Sequence, residues 1–280
     1  MNSINTLPKY KFDGLALVVL ASGGIIPSLI ISSIALGYRK ITGDNVLLSD
    51  TFLVFSNLLL WIGAIAAFDF IICRNQTKKK LNFNFSPKDA TTWLIIFPMI
   101  FGMGLVAEVL TSFIPTTGPV FGKLYEQFEV LMSRLTLDVP TMIFTAVIMA
   151  PLFEEIVFRG IIQKGMINNG VSANKAIWIT SILFGVIHMN LWQFGGAVLL
   201  GYVLGIVYEK TQSLLLPILL HLFNNLMATL LIKYIGTDSY ANYFEVSPLV
   251  ILSIGICIVV LTSYFLEKKY PSQSIKTTLS

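Results

Sequence analysis

Charge is what this chain has least of: Asp, Glu, Lys and Arg make up 12% of its 280 residues, against roughly 25% in a soluble globular domain. With 55% of the residues hydrophobic, that deficit excludes a solvated enzyme. The net charge of +4 does not imply nucleic acid, because the basic residues are scattered and no polar domain gathers them into a face. Cysteine is nearly missing too. Cys73 and Cys257 lie far apart in apolar runs, so there is no disulfide framework and no CxxC pair. No internal repeat, low-complexity tract or linker interrupts the chain, and residues 1–280 read as one integral membrane domain.

What the chain has instead is a series of apolar runs. Crossing a bilayer takes about 20 apolar residues, and runs near that length are Leu15–Gly37, Thr51–Cys73, Thr91–Ile114, Thr141–Ile162, Ala176–His188, Phe194–Tyr208, Leu214–Ile232 and Pro248–Leu266. The first is longer than the roughly 7–15 residues of a signal-peptide core and reads as a retained span. The fifth and sixth are short, joined by the mildly polar Met189–Gln193. The expected fold is all-α: a polytopic transmembrane helix bundle of about eight spans with a membrane-embedded polar cavity. Fourteen of the nineteen basic residues fall on one side if the N-terminus is cytoplasmic, and an even number of spans then returns the C-terminus to the cytoplasm. In the loop 115–140, Val120, Leu124, Phe128, Leu131 and Leu135 recur every three or four residues while Lys123, Glu126, Glu129 and Arg134 fall elsewhere. That is an amphipathic helix, lying on the outer membrane surface or capping the bundle.

Ionisable residues inside spans are rare and face a cavity or a partner helix. Here they are Asp69, Glu108, Glu154, Glu155, Arg159, His188 and His221, which include both histidines of the chain. Asp69 and Glu108 have no partner at helical spacing. The others come in groups. Successive helical residues point about 100° apart, so Glu154 and Glu155 occupy different faces. Glu155 precedes Arg159 by four residues, the order that favours an ion pair. Glu154 is left on the neighbouring face, where a buried carboxylate is suited to proton transfer. Phe184 and His188 are one turn apart, as are His221 and Asn225, and Gly185 admits a close helix neighbour. Counted from the ends of the runs, Glu154, His221 and His188 lie about 12, 10 and 18 Å from the cytoplasmic face, so the three can meet in that half of the membrane.

Such a group has several possible uses. A general base could hold a water while the remaining donors stabilise an oxyanion. Glu154, His188 and His221 could ligate Zn²⁺, or the group could relay protons in a transporter. It could also be no more than a hydrogen-bonded polar core.

Taken together, Glu154-Glu155-Arg159, Phe184-His188 and His221-Asn225 resemble the EExxxR, FxxxH and HxxxN motifs of the CAAX protease and bacteriocin-processing (Abi) family, in the expected order. The stretches 201–211 and 214–218 are similar to the family's approach to the last histidine, and residues 141–231 would be the catalytic core. The resemblance implies an intramembrane endopeptidase acting on a membrane-associated protein or peptide. In bacteria this means bacteriocin maturation, immunity or peptide-signal processing. It implies Glu154 as base with His188 as its partner, His221 and Asn225 as oxyanion donors, and Glu155, Arg159 and Phe184 as support. Many members are described as metallopeptidases. We favour no metal, because Asn225 goes with His221 toward the substrate and two remaining ligands are too few for tight zinc binding. Proton-coupled transport and a catalytically silent membrane regulator are the rival readings. The expected setting is a bacterial cell membrane, with lipid and a peptide substrate as partners and no nucleic acid.

Overall fold

The computed structural model describes residues 7–135, 138–231, 233 and 239–271. Among them there is helix and no strand. In chain order the helices are α1 (Gly14–Thr42), α2 (Asp50–Thr77), α3 (Ala90–Ser112), α4 (Phe121–Leu135), α5 (Val139–Asn168), α6 (Ala173–Ile187), α7 (Leu191–Thr211), α8 (Leu215–Leu230), α9 (Tyr240–Tyr243) and α10 (Pro248–Lys269). Six are long and apolar enough to cross a membrane, namely α1, α2, α3, α5, α7 and α10, while α6 and α8 are shorter apolar helices. This is a polytopic membrane helix bundle, and the eight apolar runs correspond to eight helices. The sixth run is longer than expected, because Leu191, Trp192 and Gln193 join α7 beneath an Asn190 cap. Lys276, Ile232 and residues 136–137 lie outside the described residues, as do the side chains of Leu131, Arg134 and Leu135.

The long helices begin where a short polar side chain can satisfy the first open backbone N–H groups. Asp13 accepts from Ala16 N at 2.9 Å, Asp89 from Thr92 N at 2.9 Å, Asp138 from Thr141 N at 2.8 Å and Asn190 from Gln193 N at 2.8 Å. Asp89 also takes a hydrogen bond from Lys269 at 2.6 Å. That bond and the Thr92 N–H hold its carboxyl down at about 2.

Two compact units divide the chain, Met1–Asn84 with Leu135–Ala176, and Phe85–Arg134 with Ile177–Ser280. In the first, α1 and α2 approach until a Cβ on Gly63 would lie 2.4 Å from the Gly23 carbonyl oxygen. Only small residues permit that contact. In the second, Ile96, Met99, Ile100, Val203, Leu204, Val207, Leu216, Leu220 and Leu266 form one buried core joining α3, α7, α8 and α10. The loop helix is α4, as the periodicity indicated. Its half-buried face is Phe121, Tyr125, Phe128 and Met132, which shares only Phe128 with the periodic apolar set; Val120 and Leu124 of that set are exposed, as are Lys123, Glu126 and Glu129.

One expectation is corrected here, and a second residue gains a partner from beyond its own helix. Asp69 does have a partner on its own helix: Arg74 reaches it at 2.6 Å, and Leu81 N donates to its other oxygen at 2.7 Å. The cause is a π-helical stretch over Phe68–Cys73, where a five-residue spacing shares a face that an α-helix would split. Glu108 is not isolated either, since its Oε1 accepts from Tyr240 N at 2.8 Å.

Candidate functional site

Glu154, Glu155 and Arg159 stand on α5, in the first unit. Glu155 and Arg159 are both 0% exposed and form a direct ion pair of 2.8 Å, as their spacing indicated. Glu154 is half-buried on the adjoining face. From Ile156 to Gln163 the helix is π-helical, a departure that sequence periodicity did not reveal. Beside this stretch runs a strap that no sequence pattern marked, residues 8–12. The fully buried Tyr10 donates its hydroxyl hydrogen to the Gly160 carbonyl, one residue beyond Arg159. Phe12 N donates to Gly165 O at 3.0 Å, Asn168 Nδ2 to Tyr10 O at 2.9 Å, and Lys11 N to Gln76 Oε1 at 2.7 Å. The Tyr10 ring meets Phe68 edge-on at 5.1 Å. The strap thus ties the end of α5 to the end of α2.

His188, His221 and Asn225 belong to the second unit. Phe184, buried on α6, lies against both imidazoles, at 5.0 Å from His188 and 5.5 Å from His221, edge-on in each case. Phe184 therefore holds a position between the two rings. Gly185 makes this possible, since a Cβ there would come within 2.6 Å of Val198 on α7. His188 follows the last residue of α6, just before the left-handed Met189 (φ 53°). Its Nδ1 is 2.7 Å from the Phe184 carbonyl. A carbonyl only accepts, so Nδ1 is the donor here, and in a neutral imidazole that tautomer leaves Nε2 as the acceptor. His221 is 6% exposed on α8. One turn on, Asn225 takes a hydrogen bond from Asn224 Nδ2 to its Oδ1 at 3.3 Å. That bond sets the sense of the Asn225 amide, with Nδ2 as the donor on its other side.

The second unit also holds a cavity of about 370 Å³ between α3, α4, α7 and α8. Its walls are largely apolar and aromatic, with Glu108 and Asn224 among the polar side chains. Neither the part Asn224 plays nor this largely apolar cavity, as distinct from the polar one expected around the motifs, was evident from sequence, because both depend on how helices distant in the chain pack. Within neither unit do three His, Cys, Asp or Glu side chains among the described residues gather as a metal site. The possible zinc set Glu154, His188 and His221 draws on both units.

The site is thus a set of ionisable and amide groups carried on the helices of a membrane protein. Residues 136–227 match the family of Type II CAAX prenyl endopeptidases described as Rce1-like. That segment contains all three motifs, so the resemblance read from them stands. YdiL of Bacillus subtilis (strain 168), named for membrane peptidase activity, is 31% identical over 107 residues, which are 38% of this chain and 42% of YdiL. The membrane-embedded CAAX protease MroQ of Staphylococcus aureus (strain USA300) is 23% identical over 182 residues, 61% of this chain and 71% of MroQ. The chain therefore spans less than half of YdiL and about seven-tenths of MroQ. No solved structure matches it.

Proposed function

We propose that this protein is an intramembrane endopeptidase of a bacterial cell membrane, hydrolysing a peptide bond in a membrane-associated protein or peptide. The observation that carries the reading is the state of His188. Its Nδ1–H is committed to the Phe184 carbonyl, which leaves Nε2 as an acceptor suited to a water. The whole set of motifs within an Rce1-like segment, and the name of the relative MroQ, support the same reading.

In this scheme Glu154 removes a proton from a water that also donates to His188 Nε2. The resulting hydroxide adds to the substrate carbonyl carbon, and the carbonyl π pair moves to oxygen. His221 and the Asn225 Nδ2 donate to that oxyanion. As the carbon–nitrogen bond breaks, Glu154 returns the proton to the departing amine, giving a carboxylic acid and an amine, and the acid's proton then passes to the amine to leave a carboxylate and an ammonium. Glu155 and Arg159 hold the helix that presents Glu154. With His221 engaged on the oxyanion, Glu154 and His188 remain on the water, and no metal is invoked.

The test is purified full-length protein in detergent, incubated with a panel of membrane peptides and analysed by mass spectrometry. Wild type should cleave at least one peptide, and Glu154→Ala should cleave none. Cleavage undiminished in Glu154→Ala would sink the assignment of the base. Stoichiometric zinc, with activity lost on chelation and restored by metal, would make His221 a ligand and leave the peptidase reading in place.

A further inference from the structure

We propose that the end of the first unit crossed by the strap is a binding site for an anionic phospholipid. Lys164 holds the phosphodiester, and the lysines of the strap and of the α2 end draw it in. The strap is extended and its side chains alternate: Pro8, Tyr10 and Phe12 are buried, while Lys9 and Lys11 are exposed on the opposite side. One side chain fixes Lys11 beside α2. Gln76 accepts from Lys11 N at 2.7 Å and donates its Nε2 hydrogen to Lys11 O at 3.4 Å. Two residues past Gln76, Lys78 turns the chain out of α2 in the left-handed conformation (φ 58°). Lys78 and Lys80 are both exposed, so one glutamine brings the strap lysines and the α2-end lysines to the same place.

Lys164 reaches that place from α5. Its ammonium stands 5.4 Å from the centre of the Tyr10 ring and 5.8 Å from that of Phe83. Tyr10 lies between Lys9 and Lys11, and Phe83 is three residues past Lys80. Lys164 is half-buried and makes no hydrogen bond or ion pair among the described residues. The acids at the start of α1 and the end of α2 are engaged elsewhere, Asp13 with Ala16 N and Asp69 with Arg74 and Leu81 N. Ring faces favour the ammonium's charge, but its three N–H donors are left without an oxygen acceptor. A half-buried ammonium in that state is completed by an anion.

Position selects which anion. The strap joins the ends of three spans, since Asp13 caps α1, Gln76 belongs to α2, and Gly165 and Asn168 belong to α5. The ends of spans lie among the headgroups of a bilayer. A phospholipid there offers its phosphate to the lysines and its apolar stem to the half-buried Leu81 and Phe83. Each lysine near an anionic surface adds attraction. A zwitterionic lipid carries the same phosphate beside an ammonium of its own, which the lysines repel.

Full-length protein in detergent is titrated with phosphatidylglycerol or with phosphatidylcholine of the same acyl chains, and native mass spectrometry counts the lipid retained. Wild type should hold phosphatidylglycerol about tenfold more tightly. Lys164→Met keeps an unbranched stem, removes the charge and should bring the ratio close to one. Lys9→Gln, Lys11→Gln, Lys78→Gln and Lys80→Gln, combined, change exposed positions alone and should lower it severalfold. Arg39→Gln with Lys40→Gln removes two exposed charges at the far end of α1 and should leave it unchanged. Equal retention of the two lipids by wild type would overturn the site, as would a preference undiminished in either lysine variant or an equal fall in the Arg39 and Lys40 control. If Lys164→Met does not fold, the four-lysine variant and the control decide. Inorganic phosphate separates the two sources of the anion. Alone, it should raise the thermal midpoint less than phosphatidylglycerol does, and an equal rise would make a free anion the ligand and overturn the lipid.

Discussion

Two adjacent glutamates on α5 have opposite surroundings. Glu155 is fully enclosed with Arg159, and Glu154 is half-buried. A buried ion pair adds little net stability, but removing one member leaves the other's charge stranded at a cost of about 3–5 kcal/mol. Arg159→Ala should therefore lower the thermal midpoint and the yield of the detergent-solubilised protein. Glu154→Ala should leave both near wild type and abolish cleavage. Fluorescence-detected size exclusion after heating reads the first effect, and the peptide assay reads the second. If the two substitutions destabilise alike, the division into scaffold and chemistry fails. This pair was legible in the sequence because its partners are four residues apart on one helix. Asn224 and Lys164 were not, because what they face comes from elsewhere in the chain.

At the scale of elements, apolar run length made the helices readable, whereas their polar caps and their winding came only with the structure. A π-helical stretch such as Ile156–Gln163 keeps the same apolar composition as an α-helix, and its 8 residues are too few for a change of pitch to show in the pattern. Asp69 looked solitary for that reason, its partner being five residues on. The strap at residues 8–12 escaped notice for a different one. It has no period, and it is recognised only by partners such as Gly160 and Asn168, more than 140 positions away in the sequence. Its hydrogen bond to Gly160 gives a direct test. Tyr10→Phe keeps the ring against Phe68 and removes the donor, which should cost about 1–3 kcal/mol for the buried carbonyl left behind. Tyr10→Ala also loses the ring packing and should cost more, about 3–5 kcal/mol. Thermal unfolding of the two variants against wild type measures both. Equal behaviour of Tyr10→Phe and wild type would show that the strap is held by its other bonds alone.

For the molecule as a whole, scarcity of charge settled the membrane class, and three short motifs pointed to a peptidase before any fold was known. What the proposed chemistry needs from the whole is that the two units cooperate. Glu154 comes from one, while His188, His221 and Asn225 come from the other. The case for their meeting is the expected depth: counted by helical rise along the apolar runs, each of the three ionisable groups falls about 10–18 Å from the run end expected to be cytoplasmic. Cysteine crosslinking tests that requirement without depending on activity. In a Cys73→Ala, Cys257→Ala background, cysteines replacing Glu154 and His221, or Glu154 and His188, should be joined by a short bifunctional thiol reagent in isolated membranes. A cysteine replacing Ser239, which lines the α3–α8 cavity, is the control and should not be joined to one at 154. Mass shifts on denaturing gels after cleavage at an engineered site between the units report the crosslink. If neither histidine position couples to 154, or the control couples as well as they do, Glu154 cannot share a water with His188. The base would then have to be sought among the second unit's own residues.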